Sequence, residues 1–178
     1  RPTVNEQLTL FGSKQAVAGA VGVNHYLILM DDGTVWSFGG NEHGQLGSGE
    51  DEYAWHPYSQ PVQVVGLSNI IKIAAGDHFS LALSADGTLW EWGQVMNDGG
   101  GVGSWESYTT PVQVLNIYNV QDVTAGNDSV AAIANGRQLY MWGYNSYGKI
   151  LNCYGTVPQK VNHSFQGPDE IAVGHTTS

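Results

Sequence analysis

The feature that most constrains the fold is a repeat of about fifty residues. Four similar segments read GAVGVNHYLIL, IAAGDHFSLAL, VTAGNDSVAAI and IAVGHTTS, around Gly22, Gly76, Gly126 and Gly174. The first three continue into a turn and an aromatic segment, as DDGTVWSFG, ADGTLWEWG and ANGRQLYMWG. Because a missed repeat misassigns a whole fold, this periodicity takes precedence over any local motif.

Each unit of the repeat has the pattern of a run of short strands. In the second unit, residues 70–75 and 79–84 are apolar and rich in β-forming side chains, and Asp86-Gly87 suits a tight hairpin turn. A further strand is expected at 61–65, where the leading proline suits a strand start or a sheet edge. The sequence therefore predicts an all-β fold, a β-propeller of four-stranded antiparallel blades.

Four linked motifs resemble the repeat of the regulator of chromosome condensation family. They are AAGDHFSLAL at 74–83, DGTLWEWG at 86–93, GGNEHGQLGSG at 39–49 and PVQV at 61–64. The resemblance extends from about Val17 to the C-terminus, and the propeller-type β-lactamase inhibitor proteins are also similar. It implies a seven-bladed propeller, of which this chain would hold about three to four blades, or half of the ring.

We expect one partial propeller over residues 1–178. Its repeat units and incomplete blades are predicted at about 17–65, 66–115, 116–162, 1–16 and 163–178. Two explanations of the incomplete blades stay open. Either the chain is a window on a longer array, or copies associate through open blade edges, as two half-rings that close one propeller or head to tail.

Composition and charge argue against several classes of protein. The net charge is −10, and the six basic residues do not cluster, so nucleic acid is not an expected partner. No apolar run approaches the roughly 20 residues of a membrane span, so membrane insertion is not expected. The six histidines and the single cysteine lack metal-ligand spacing, and the glycine-rich loops lack the lysine of a phosphate cradle. No catalytic motif is present, and we expect no enzyme activity, metal or cofactor.

A W-x-x-Y-x-x-P pattern occurs twice in register, before Pro61 and before Pro111. Aromatic side chains dominate binding hot spots, so the pattern predicts partner-binding anchors on one propeller face. Packing between equivalent positions of adjacent blades explains it equally well. The candidate anchors are Trp55, Tyr58, Trp105 and Tyr108.

Three acidic residues, Glu50, Asp51 and Glu52, lie beside the first aromatic pair. They are candidates for setting a preference for a basic partner surface, and a carboxylate cluster could also bind calcium. The segment lacks the alternating oxygen ligands and fixed glycine of a calcium loop. A solvated acidic rim is therefore the favoured interpretation.

The sequence thus predicts a non-catalytic protein–protein interaction module that presents propeller-face loops to a protein partner. Two alternatives stay open. The family resemblance implies a guanine nucleotide exchange factor for a small GTPase, and the incomplete blades indicate a self-assembling structural or surface repeat protein. The low lysine content and the many asparagine, tyrosine and tryptophan residues favour an extracellular or cell-surface location.

Overall fold

A computed structural model describes residues 11–50, 60–96, 105–144, 155–161 and 171 of the chain. These residues contain three four-stranded antiparallel sheets, in which the strands pair in sequence order. The first sheet comprises β1 (Ala16–Val21), β2 (His25–Met30), β3 (Val35–Gly39) and β4 (Val62–Gln63). The second comprises β5 (Ile70–Ala75), β6 (Phe79–Ser84), β7 (Leu89–Met96) and β8 (Trp105–Gln113). The third comprises β9 (Val120–Ala125), β10 (Ser129–Ala134), β11 (Gln138–Gly143) and β12 (Gly155–Lys160).

The hydrophobic cores lie between consecutive sheets. One cluster joins Leu27 and Leu29 of the first sheet to Ile73 and Trp92 of the second. A larger cluster joins the second sheet to the third, where Trp142 is one of its members. Face-to-face packing of successive four-stranded sheets is the arrangement of propeller blades. The all-β prediction with four-stranded antiparallel blades is confirmed.

Strand β6 is buried along its whole length because a neighbouring sheet covers each of its faces. Leu81 and Leu83 belong to the core shared with the third sheet, whereas Ala82 belongs to the core shared with the first. Successive side chains of a strand point to opposite faces. The nearly continuous apolar sequence FSLALS is therefore what a central blade requires.

A close approach explains the repeat glycine that precedes β2 and β6. The ring of the residue three positions later folds back over it: a Cβ at Gly22 would lie 2.3 Å from the His25 ring, and one at Gly76 would lie 1.9 Å from the Phe79 ring. No side chain fits in such a space. The spacing G-x-x-[HF] is thus explained by packing of the ring against the glycine backbone.

The hairpin turns follow the predicted Asp-Gly chemistry. Gly87 has a φ of 84°, and the Thr88 amide donates a hydrogen bond of 2.9 Å to the Asp86 carboxylate. The equivalent turn of the first sheet has the same contact, at 3.1 Å. Both features are typical of aspartate and glycine at a tight turn.

One predicted strand differs from the observed one, since the strand expected at 61–65 is shortened to β4, which covers two residues. In the second sheet the fourth strand begins at Trp105, well before Pro111, because β7 continues to Met96 and pairs with these additional residues. Pro111 therefore lies within β8, which forms the edge of its sheet, and an edge strand tolerates a residue without an amide donor.

Candidate protein-binding surface

The glycine-rich loop after β3 is fixed against the second sheet by buried polar contacts. The backbone carbonyl of Gln45 accepts hydrogen bonds from Ser80 Oγ at 3.0 Å and from Trp92 Nε1 at 2.9 Å. Within the first unit, Ser37 Oγ donates to the Leu46 carbonyl at 2.6 Å. All three donor side chains are fully buried. The loop therefore joins two blades, which explains why its glycines have no phosphate-cradle context.

The same contact region fixes the protonation of His25. The ring Nε2 lies 2.9 Å from Ser80 Oγ, whose single proton is already donated to Gln45. Ser80 Oγ must therefore accept, and the neutral His25 ring carries its proton on Nε2. Burial, with a smaller effect of charge on His78, lowers the pKa of His25 to about 4.

Among the described residues, no group of three potential ligands could hold a metal ion.

Trp105 is an exposed aromatic residue at the start of a paired strand. It is the first residue of β8, it pairs with Met96 across the hairpin, and its side chain is 38% exposed. Its ring centroid lies 6.2 Å from that of Tyr144. An exposed aromatic side chain beside a second ring has the features of a binding anchor, because its apolar area is large and its strand is held by pairing.

Tyr108, unlike Trp105, packs against the hydrophobic cores. It contacts both hydrophobic cores, and its hydroxyl donates a 2.6 Å hydrogen bond to Glu106. That bond, with smaller contributions from burial and nearby carboxylates, raises the pKa of Tyr108 to about 12. Beside it, the Gly49 amide donates to the Thr109 carbonyl at 2.9 Å, so β8 also touches the loop of the preceding unit.

The remaining predicted binding residues are only partly placed. Glu50 is exposed, and its amide lies 3.4 Å from Ser48 Oγ. The other four predicted residues lie outside the described part of the chain, and their roles stay predictions: Trp55, Tyr58, Asp51 and Glu52. The structure therefore does not bring the two aromatic pairs into one described surface.

A cleft between the second and third sheets contains a carboxyl group that no sequence motif indicated. Glu91 reaches this cleft from β7, and burial raises its pKa to about 7. The residues that line this Glu91 cleft are Phe79, Glu91, Gln94, Val95, Met96, Trp105, Asp128, Val130, Trp142 and Gly143. Comparison of the repeat units could have singled out Glu91, because the equivalent positions of WSFG and YMWG hold the uncharged residues Ser37 and Met141.

No helix among the described residues has the length and apolarity to cross a membrane. The sheets and their shared cores define the chain as a partial β-propeller. Two family models, each described as a regulator of chromosome condensation (RCC1) repeat, match it, one at residues 32–83 and the other at 16–45 and 70–99. The chain thus contains RCC1 repeats within residues 16–99, as the four motifs predicted.

Known proteins with similar sequences and structures agree with this assignment. Protein pim1 of Schizosaccharomyces pombe is 31% identical over 107 residues, which are 54% of this chain and 19% of pim1. The RCC2 homologue of Danio rerio is 39% identical over 83 residues, 46% of this chain and 16% of that protein. The structure of Prp20p from Saccharomyces cerevisiae aligns with a TM-score of 0.72 at 25% identity, covering 92% of this chain and 43% of Prp20p. The chain thus spans only a minor part of each relative.

Proposed function

We propose that this chain is a non-catalytic protein-interaction module that presents loops and strand ends of a propeller face to a protein partner. The observation that carries the proposal is Trp105, whose exposed ring stands on a hairpin that extends beyond the repeat. Large aromatic side chains on a rigid support lose little conformational entropy on binding. Such side chains account for much of the binding free energy of protein interfaces.

Solved structures of similar chains support a protein as the class of partner. Prp20p of Saccharomyces cerevisiae has binding properties to Gsp1p and histones. A second structure contains Kap60 bound to yeast RCC1 (Prp20), and it aligns with this chain at 26% identity and a TM-score of 0.70. Propellers of this type therefore serve as protein-binding scaffolds.

The test replaces Trp105 by alanine and compares it with Tyr118→Ala, which removes an exposed aromatic ring from the turn after β8. Partners captured by the wild-type chain are identified, and their affinity for each variant is measured. We expect Trp105→Ala to weaken binding by about tenfold or more and Tyr118→Ala to change it little. The proposal fails if alanine at Trp55, Tyr58, Trp105 and Tyr108 together leaves binding intact in a folded protein.

A guanine nucleotide exchange factor is the second candidate function. It is favoured by the similarity to Prp20p, since Gsp1p is one of the proteins to which Prp20p binds. The chain spans 43% of Prp20p, so a complete exchange surface would need more of a ring. A nucleotide-release assay over a broad panel of small GTPases distinguishes the two functions, and a flat result over the panel removes this one.

Self-assembly is the third candidate, and the observation that favours it is the outer face of the first sheet. This face is the one directed away from the second sheet, and it exposes Val17, Val21 and Tyr26. Apolar area on a sheet face promotes association of copies. The mass of the protein in solution tests this candidate, because association through the face would raise it above that of one chain.

A further inference from the structure

The position of Glu91 follows from the register of the second sheet. Glu91, on β7, pairs with Leu81 of β6 and with Val112 of β8. Side chains of directly paired residues share a face, and Leu81 belongs to the core between the second and third sheets. The Glu91 carboxyl group is therefore directed into the space between these two sheets. A carboxylate in such surroundings is costly unless a cation pairs with it.

The cleft itself supplies no such cation. Its lining residues, all within the described part of the chain, include no lysine, arginine or histidine. Asp128, from the turn before β10, lines the cleft with Glu91, and Tyr108 of β8 interacts electrostatically with Glu91 and donates a hydrogen bond to Glu106. None of these groups becomes positively charged. Within the described part of the chain, no cationic side chain in the cleft pairs with Glu91, and a cation supplied by a partner would complement its charge.

The walls and the size of the cleft restrict which cation fits. Trp105 and Trp142 line it, and aromatic faces attract cations. The cleft has a free volume of about 20 Å³, which is room for about one water-sized group. A lysine ammonium is compact, whereas the guanidinium of arginine is a wide planar fork. The dimensions thus favour lysine over arginine.

We propose that the Glu91 cleft binds the ammonium group of a lysine side chain on a protein partner, with the Glu91 carboxylate as counter-ion and the Trp105 and Trp142 rings as walls. The inference rests on the proposed interaction function, and it names one chemical element of the partner. It also gives Trp105 a specific role, because its ring lines the cleft and is 38% exposed, so it can pack against the lysine stem.

The experiment uses the whole chain and three small probes at constant ionic strength. They are N-acetyl-lysine methylamide, the arginine analogue and the norleucine analogue, which lacks the amine. The readout is the position of the Trp105 and Trp142 indole N–H signals in two-dimensional NMR spectra. At pH 8 we expect the lysine probe to shift both signals saturably, the arginine probe to bind several-fold more weakly, and the norleucine probe to have no effect.

Two variants and a pH series locate the effect at Glu91. Glu91→Gln should abolish the shifts, whereas Glu106→Gln, the same charge change on the neighbouring strand outside the cleft, should preserve them. Because the pKa of Glu91 is about 7, binding at pH 6 must release a proton. The affinity for the lysine probe should therefore be about tenfold lower at pH 6 than at pH 8.

A measurement on the wild-type chain guards against misfolding of a variant. The Glu91 carboxyl signal is titrated by carbon-13 NMR with and without the lysine probe, and the probe should lower the pKa of Glu91. Unmoved indole signals, equal binding of norleucine, or equal loss in both variants would each overturn the proposal. Failure here combined with loss of partner binding in Trp105→Ala would reject the lysine site and leave the interaction function standing.

Discussion

Gly93 has a left-handed backbone conformation, and backbone atoms of other residues occupy the space where a Cβ would lie. Its φ is 87°, and a Cβ there would lie 2.4 Å from the His78 carbonyl oxygen and 2.9 Å from the Phe79 Cα. We expect Gly93→Ala to lower the free energy of unfolding by about 2 kcal/mol or more, because strain and clash add. Urea denaturation followed by tryptophan fluorescence measures the change.

Gly66→Ala is the matched control for Gly93→Ala. Gly66 has a similar φ of 73°, but no atom of the described residues lies within 4 Å of a Cβ built there. This variant carries only the conformational cost, about 1 kcal/mol. Equal effects of the two substitutions would show that the close approach at Gly93 has no energetic weight.

His25 should make the stability depend on pH in a defined direction. Its folded pKa of about 4 lies below the ordinary value of 6.5, so the unfolded chain binds the proton more tightly. The contribution is fully present above pH 6.5 and is lost as the pH falls towards 4. The whole shift corresponds to about 3 kcal/mol of unfolding free energy.

The comparison for His25 is His25→Phe, which copies the residue at the equivalent position in the second unit, Phe79. Carboxyl groups that titrate in the same range are common to both proteins and cancel. Between pH 6.5 and 4.5 the wild-type chain should lose stability more steeply than the variant in urea titrations. Parallel pH profiles would mean that His25 is not buried in its neutral form.

At the scale of the elements, the hydrogen bond between Trp92 and the loop after β3 can be tested by a substitution at Trp92. Trp92 is fully buried, and its Nε1 bonds to the Gln45 carbonyl. We expect Trp92→Phe to cost about 1–3 kcal/mol of unfolding free energy, from the lost bond and the cavity together. Thermal and urea unfolding, monitored by far-ultraviolet circular dichroism, give the value.

Trp36→Phe provides the control for Trp92→Phe. Trp36 belongs to β3, it is half-buried, and its Nε1 has no hydrogen-bond partner among the described residues. Replacing it removes an unsatisfied donor and should cost less than about 1 kcal/mol. A loss as large as that of Trp92→Phe would indicate that ring volume, and not the bond to the loop, sets the cost.

The elements show how far the sequence could specify this structure. β5 and β6 agree with the predicted strands at 70–75 and 79–84, because the repeat and the apolar pattern coincide there. The start of β8 was missed, because residues 105–107 pair with residues 94–96 of β7, whose sequence is not repeated in the other units. The Glu91 cleft was also missed, since a single carboxyl gains its unusual environment only when two blades pack together. Local pattern thus predicts strands, whereas contacts between units decide the site.

At the scale of the whole molecule, the outer face of the first sheet is where we expect copies to associate. Val21 pairs with Tyr26, and Tyr26 pairs with Phe38, so these three side chains share that face across three strands. The rings of Tyr26 and Phe38 stack at a centroid distance of 4.8 Å. Val21 is 60% exposed, which leaves apolar area open to another molecule.

We therefore expect the mass in solution to exceed the 19.1 kDa of one chain and to rise with concentration in light scattering. Val21→Lys should return the mass to that of a monomer, because a charge on the face must be desolvated on association. Leu115→Lys makes a similar change at a residue that is 67% exposed in the turn after β8, and it should associate like the wild type. A plateau at twice the chain mass would favour two half-rings that close one propeller, whereas a mass that keeps growing with concentration would favour head-to-tail joining of strand edges. A monomer at every concentration, or an equal effect of Leu115→Lys, would contradict association through this face.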